Sequence, residues 1–93
     1  MASLDSIAEK IIQEQALVIG PLAWSEARKV SGLQIGTDQR VMVQNGDPKA
    51  AIDRLVAQYE RLCGRASHEV CKEAVASLIR GMPQADVPAS LLA

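Results

Sequence analysis

The segment from Asp47 to Pro83 constrains the fold more than any other part of the chain. The pair Asp47-Pro48 opens it, Gly64 interrupts it, and Gly81 and Pro83 close it. Aspartate is a preferred N-cap, proline suits the first helical position, and glycine commonly ends a helix. These helix start and stop signals therefore predict two helices. One lies between Asp47 and Gly64, and the other is capped by Ser67 and ends at Gly81. The link between them is so short that the helices must be neighbours.

Apolar residues recur at steps of three and four along both predicted helices, which is typical of an amphipathic helix with one buried side. Both cysteines lie on these stripes, so we expect Cys63 and Cys71 to be free thiols that pack as small hydrophobes. The two stripes consist of Ile52, Leu55, Val56, Tyr59, Leu62 and Cys63, and of Val70, Cys71, Ala74, Val75, Leu78 and Ile79.

The N-terminal third predicts two further helices. Residues 5–18 carry an apolar stripe that is wide for a surface helix, so this element is either central or part of an interface. Its N-cap is either Asp5 or Ser6, and Ser6 has the capping-box spacing to Glu9. Gly20-Pro21 ends it, and residues 21–30 have the pattern of a short second helix.

Residues 33–45 change to the alternation of a β-hairpin around a turn at residues 36–39. A two-stranded hairpin is marginal alone, so it must pack on the helices or pair with a second copy. The expected fold is α+β, with two N-terminal helices, the hairpin and a C-terminal helical hairpin; an all-α fold is the alternative. We expect one domain over residues 1–82 and a flexible tail over 83–93, in which Val87, Leu91 and Leu92 could dock.

Composition and charge limit the kinds of partner and the compartment that we expect for this chain. The 93 residues carry ten basic and eleven acidic side chains, a net charge of −1, with no run of one sign. Nucleic-acid binders usually show a basic stripe, and membrane-surface helices a basic amphipathic face. Neither pattern is present, so neither partner is expected. The first residues lack the pattern of a signal peptide, and the longest apolar run is too short to cross a bilayer. The default expectation is the cytoplasm.

Catalytic and metal-binding patterns are weak. Cys63, His68 and Cys71 have the spacing C-x4-H-x2-C, but structural zinc wants four ligands, and the chain has only these three thiol or imidazole groups. The segment Ser67-His68-Glu69 contains a nucleophile, a base and an acid. Adjacent side chains on a helix point in different directions, so it is not a triad in space. The sequence predicts no enzyme and no cofactor.

The favoured function is a small interaction or regulatory module whose partner is another protein or, as we expect, a second copy of the chain. The first helix is apolar around much of its circumference, and the hairpin leaves edges open for pairing. Trp24 would pack in the core or, if exposed, anchor an interface. Two alternatives are a carrier or sensor of a small apolar ligand and a thiol or metal site at Cys63, His68 and Cys71. The candidate interface residues are Ile11, Ile12, Leu17, Trp24, Val41 and Val43.

Overall fold

The computed structural model describes residues 3–44 and 46–92. Within these ranges the chain forms four α-helices and a two-stranded antiparallel hairpin, which confirms the predicted α+β fold. The elements in chain order are α1 (Leu4–Ile19), α2 (Leu22–Ala27), β1 (Leu33–Ile35), β2 (Val41–Val43), α3 (Pro48–Cys63) and α4 (Arg65–Ile79), followed by two single-turn 3-10 helices, Gln84–Asp86 and Ala89–Leu91.

The predicted start and end of α3 are confirmed. The Asp47 side chain accepts a hydrogen bond from the Ala50 N–H, and Pro48 occupies the first helical position. Gly64 ends the helix at φ +90°, a backbone angle that residues with a Cβ rarely adopt. Because Gly64 turns the chain at once, α4 already begins at Arg65, and the prediction that Ser67 caps α4 is wrong. Ser67 lies in the first turn and is buried.

The α1 helix is the central element of the bundle. It contacts α2, α3, α4 and β2, and its buried side contains Ile7, Ala8, Ile11, Ile12 and Gln15. Ser3 is the N-cap, since its side chain accepts from the Ser6 N–H. The predictions of Asp5 or Ser6 as cap are therefore wrong. The wide apolar stripe is explained by contacts on several sides within one chain.

The hairpin forms within one chain and packs on α1. Leu33 pairs with Val43, and Ile35 pairs with Val41. The Asp5 carboxylate on α1 accepts a 2.7 Å hydrogen bond from the Val43 N–H. The sequence suggested that the edges of the hairpin are open for pairing with another copy. At Val43, however, the backbone N–H already has a partner within the same chain. The Asn45 end of the predicted hairpin lies outside the described residues.

The C-terminal segment, residues 83–92, packs on the helices. Val87 and Leu91 are buried in the core, whereas Leu92 is about half exposed. The Asp53 carboxylate of α3 accepts from both the N–H and the hydroxyl of Ser90. Apolar burial and these polar contacts together hold the segment against α3 and α4.

Candidate functional site

Most of the six candidate interface residues are part of the core. Ile11 and Ile12 have no exposed surface, and Trp24 and Val41 are nearly as buried. These four side chains therefore offer little or no surface to a partner in this structure. Val43 is half-buried on the hairpin. Leu17 differs from the others, because 80% of its surface is exposed.

Leu17 belongs to a group of exposed apolar side chains, which we call the apolar end. The group consists of Leu17, Val18, Leu22 and Leu62, and their exposed fractions are 80%, 66%, 45% and 45%. Single exposed apolar residues are common on protein surfaces, but contiguous ones indicate an interaction site. The question is therefore whether these four lie together.

Two long-range hydrogen bonds place them at the same end of the bundle. The Tyr59 hydroxyl donates to the Ala23 carbonyl at 2.7 Å, so the last turns of α3 lie against the start of α2. The Gln15 amide donates to the Ser67 carbonyl at 3.0 Å, so the end of α1 lies against the start of α4. Leu17 and Val18 follow Gln15, Leu22 precedes Ala23 and Leu62 follows Tyr59. The apolar end is thus formed where α1 and α3 finish and α2 and α4 begin.

The two cysteines have different environments, and the prediction that both are core is wrong for one of them. Cys63 is the last residue of α3 and is exposed, since the helical packing stops a turn before it. Cys71 is fully buried, and Gln15 donates to its sulfur at 3.4 Å. Burial raises the pKa of the Cys71 thiol to about 11. A thiol that remains protonated is a poor nucleophile and a poor metal ligand.

His68 has structural partners. Its Nε2 donates to the Ser90 carbonyl oxygen, and its Nδ1 lies 3.3 Å from the Glu60 carboxylate. The Ser90 hydroxyl bonds to Asp53 instead, so the histidine and the serine do not form a nucleophile–base pair. Among the described residues, no group of three histidine, cysteine or acidic side chains is arranged to hold a metal ion. Cys63, His68 and Cys71 are not brought together as a site.

The polar residues that organise the interior were largely missed by sequence reasoning. In the sequence, Gln15 is a polar residue within the apolar stripe of α1, and nothing in the pattern predicts its buried hydrogen bonds. Glu26 is 7% exposed and accepts from Lys29 at 2.7 Å, and its i, i+3 spacing to that lysine was the available signal. The pair of Asp53 and Ser90 is separated by 37 residues and left no local signal.

Comparison of the chain with protein-family models, curated proteins and solved structures finds no match. Over the ranges that the structure describes, none of the helices has both the length and the apolar character that a membrane crossing requires.

Proposed function

We propose that this protein is a non-catalytic interaction module that forms a homodimer through the apolar end. The observation that supports this most strongly is the exposure of Leu17 and Val18, the largest among the large apolar side chains of the described residues. They are consecutive residues in the last turn of α1. Removing such side chains from water is favourable, at about 1.5–3 kcal/mol for each that becomes fully buried.

A second copy suits this surface because the stretch that supplies Leu17, Val18 and Leu22 carries no charge. No charged residue occurs between Gln15 and Trp24. In a twofold interface the same patch faces itself, so any charge near the axis meets a like charge. A twofold axis that passes through this uncharged stretch avoids that repulsion. A domain of this size also has a thin stability margin, which dimerisation would widen.

Sedimentation equilibrium from the micromolar to the millimolar range tests the proposal. The wild-type chain is expected to shift from monomer to dimer within that range. Leu17→Glu places like charges opposite one another and is expected to remain monomeric. Met42→Glu is the matched control, since Met42 is 59% exposed but lies on the hairpin.

A wild-type protein that stays monomeric throughout contradicts the homodimer. Equal loss of association in Leu17→Glu and Met42→Glu contradicts its location. Circular dichroism spectra of the three proteins confirm that each is folded before their masses are compared.

A further inference from the structure

A second surface is strongly basic and lies in a groove between the end of α2 and the exposed side of α3. The groove has a volume of about 240 Å³. We call it the basic groove and define it by Lys29, Ser31, Arg54, Gln58 and Arg61. Three of these five side chains carry a positive charge.

The basic groove has an excess of positive charge that its own carboxylate does not neutralise. Glu26 is the acidic residue bound to its wall, and both carboxylate oxygens are occupied. One accepts from Lys29 and the other from Gln58, each at 2.7 Å. These hydrogen bonds, that of Lys29 above all, lower the pKa of Glu26 and keep it ionised. Three cations and one anion leave two net positive charges on a chain whose total charge is −1.

Both arginines retain donors for a ligand. Arg54 donates from Nε to the Ser31 carbonyl at 3.1 Å, and Arg61 donates from one terminal nitrogen to the Gln58 side-chain oxygen at 3.0 Å. Both partners are neutral. The ion pairs found among residues 3–44 and 46–92 include neither arginine. A guanidinium has five N–H groups in a planar fork that fits an oxyanion, so several donors remain on each.

The walls of the groove hold these side chains in place. Gly32 has φ +93°, and a Cβ there would lie 2.8 Å from the Arg54 Nη2 and 2.9 Å from the Ala51 Cβ. The absence of a side chain at Gly32 therefore lets the chain after α2 pass close to α3. This close approach puts the Ser31 carbonyl within reach of Arg54 and closes one side of the groove. On the other side, Gln58 is fixed between Glu26 and Arg61.

We infer that the basic groove binds a small, multiply charged oxyanion of the phosphate class, such as a free phosphate or diphosphate group. Two net positive charges match a dianion better than a single carboxylate. Arg54 and Arg61 are seven residues apart, so they lie on the same side of α3, about 10 Å apart along its axis, and their long side chains can converge on one ligand between them. The cavity is smaller than the roughly 300–1,000 Å³ typical of drug-sized ligands. This inference is independent of the proposed dimer.

A titration of the full chain with pyrophosphate, followed by the backbone amide signals in NMR, tests the inference. Saturable shifts are expected in residues 29–31 and 54–61, with weaker binding of inorganic phosphate and weaker still of acetate at the same ionic strength. The double variant Arg54→Gln/Arg61→Gln is expected to lose affinity by about tenfold or more. Arg40→Gln/Arg80→Gln removes the same charge from exposed sites elsewhere and is the matched control.

A second variant keeps the test decisive if the double variant fails to fold. Ala57 is exposed on the groove wall, and Ala57→Glu adds a carboxylate there while both arginines remain. It is expected to abolish pyrophosphate binding. The inference would be overturned by shifts that do not saturate or by acetate binding as tight as that of pyrophosphate. It would also be overturned by an equal loss of affinity in the control variant or by full affinity in Ala57→Glu.

Discussion

Two short apolar segments of this chain have opposite environments. The C-terminal segment, residues 83–92, buries Val87 and Leu91 against the helices, whereas the α1–α2 junction, residues 17–22, leaves Leu17 and Val18 in solvent. Both segments combine proline with large apolar side chains. Their apolar content therefore does not explain the difference.

Polar contacts distinguish the two segments. Asp53 accepts two hydrogen bonds from Ser90, Lys49 donates to the Ala85 carbonyl, and His68 donates to the Ser90 carbonyl. The hydrogen bonds found at the junction are backbone bonds of helix ends and turns, such as that from the Gly20 N–H to Ala16. A segment can bury its apolar side chains only if its own polar groups also find partners. The junction satisfies its backbone locally and keeps its apolar side chains available.

The largest expected effect comes from truncating a buried side chain of the C-terminal segment. Leu91→Ala is expected to lower the free energy of unfolding by about 2–4 kcal/mol, because it leaves a cavity in the core. Leu17→Ala is the matched substitution at the junction. It should change the free energy of unfolding by less than about 0.5 kcal/mol in dilute protein. Urea unfolding monitored by circular dichroism measures both. Equal effects would mean that the two segments are packed alike.

A smaller loss of unfolding free energy is expected when only the Asp53 carboxylate, the polar anchor of the C-terminal segment, is removed. Asp53→Ala removes the acceptor of two hydrogen bonds and should cost about 1–2 kcal/mol. The loss should be local, with faster hydrogen exchange at the amides of Leu91 and Leu92. Asp38→Ala, in the hairpin turn, is the control and should leave these amides unchanged. Unchanged exchange in Asp53→Ala would remove the anchor from the explanation.

The two thiols extend the comparison to chemical reactivity. Cys63 lies beside the apolar end and should react quickly with a thiol reagent near pH 8, whereas Cys71 should react only when the protein opens. In Cys63→Ser, the reaction of Cys71 should accelerate with pH up to about 11, its pKa in the folded state. Two equally fast thiols in the native protein would contradict the assignment of Cys71 to the core.

The raised pKa of Cys71 also predicts how stability depends on pH. Burial favours the neutral thiol, so the folded state holds its proton more tightly than the unfolded chain, in which the pKa is about 9. The contribution of Cys71 is complete below about pH 9 and is lost as the pH rises towards about 11. A Cys71→Ala variant should have a shallower decline over this interval. Identical slopes in the two proteins would exclude this contribution.

Local signals predicted the fold well, and long-range contacts account for what they missed. Asp47, Pro48 and Gly64 act on neighbouring backbone, so their roles could be predicted from the sequence. The periodicity of α1 identified an apolar stripe but could not show that Ile12 is covered by the same chain while Leu17 is not. That distinction depends on how far the packing of α4 and α2 extends along α1, a property of the assembled bundle.

The candidate sites were harder to predict for the same reason. Lys29 and Arg61 are 32 positions apart, with both signs of charge interspersed between them, so the basic groove has no counterpart in the sequence. Ser90 and Asp53 are similarly distant, and the C-terminal segment was therefore expected to be flexible. Cys63 shares the periodicity of the buried stripe, but its position at the last turn of α3 decides its exposure.

Isotope-filtered NMR on a mixture of labelled and unlabelled chains most directly tests the claim that the apolar end is an interface between two copies. At a concentration where the dimer forms, intermolecular contacts are expected from the methyl groups of Leu17, Val18 and Leu22. They should vanish in Leu17→Glu and persist in Met42→Glu. Intermolecular contacts located at Met42 or elsewhere on the hairpin, or none from the apolar end, would contradict the claim.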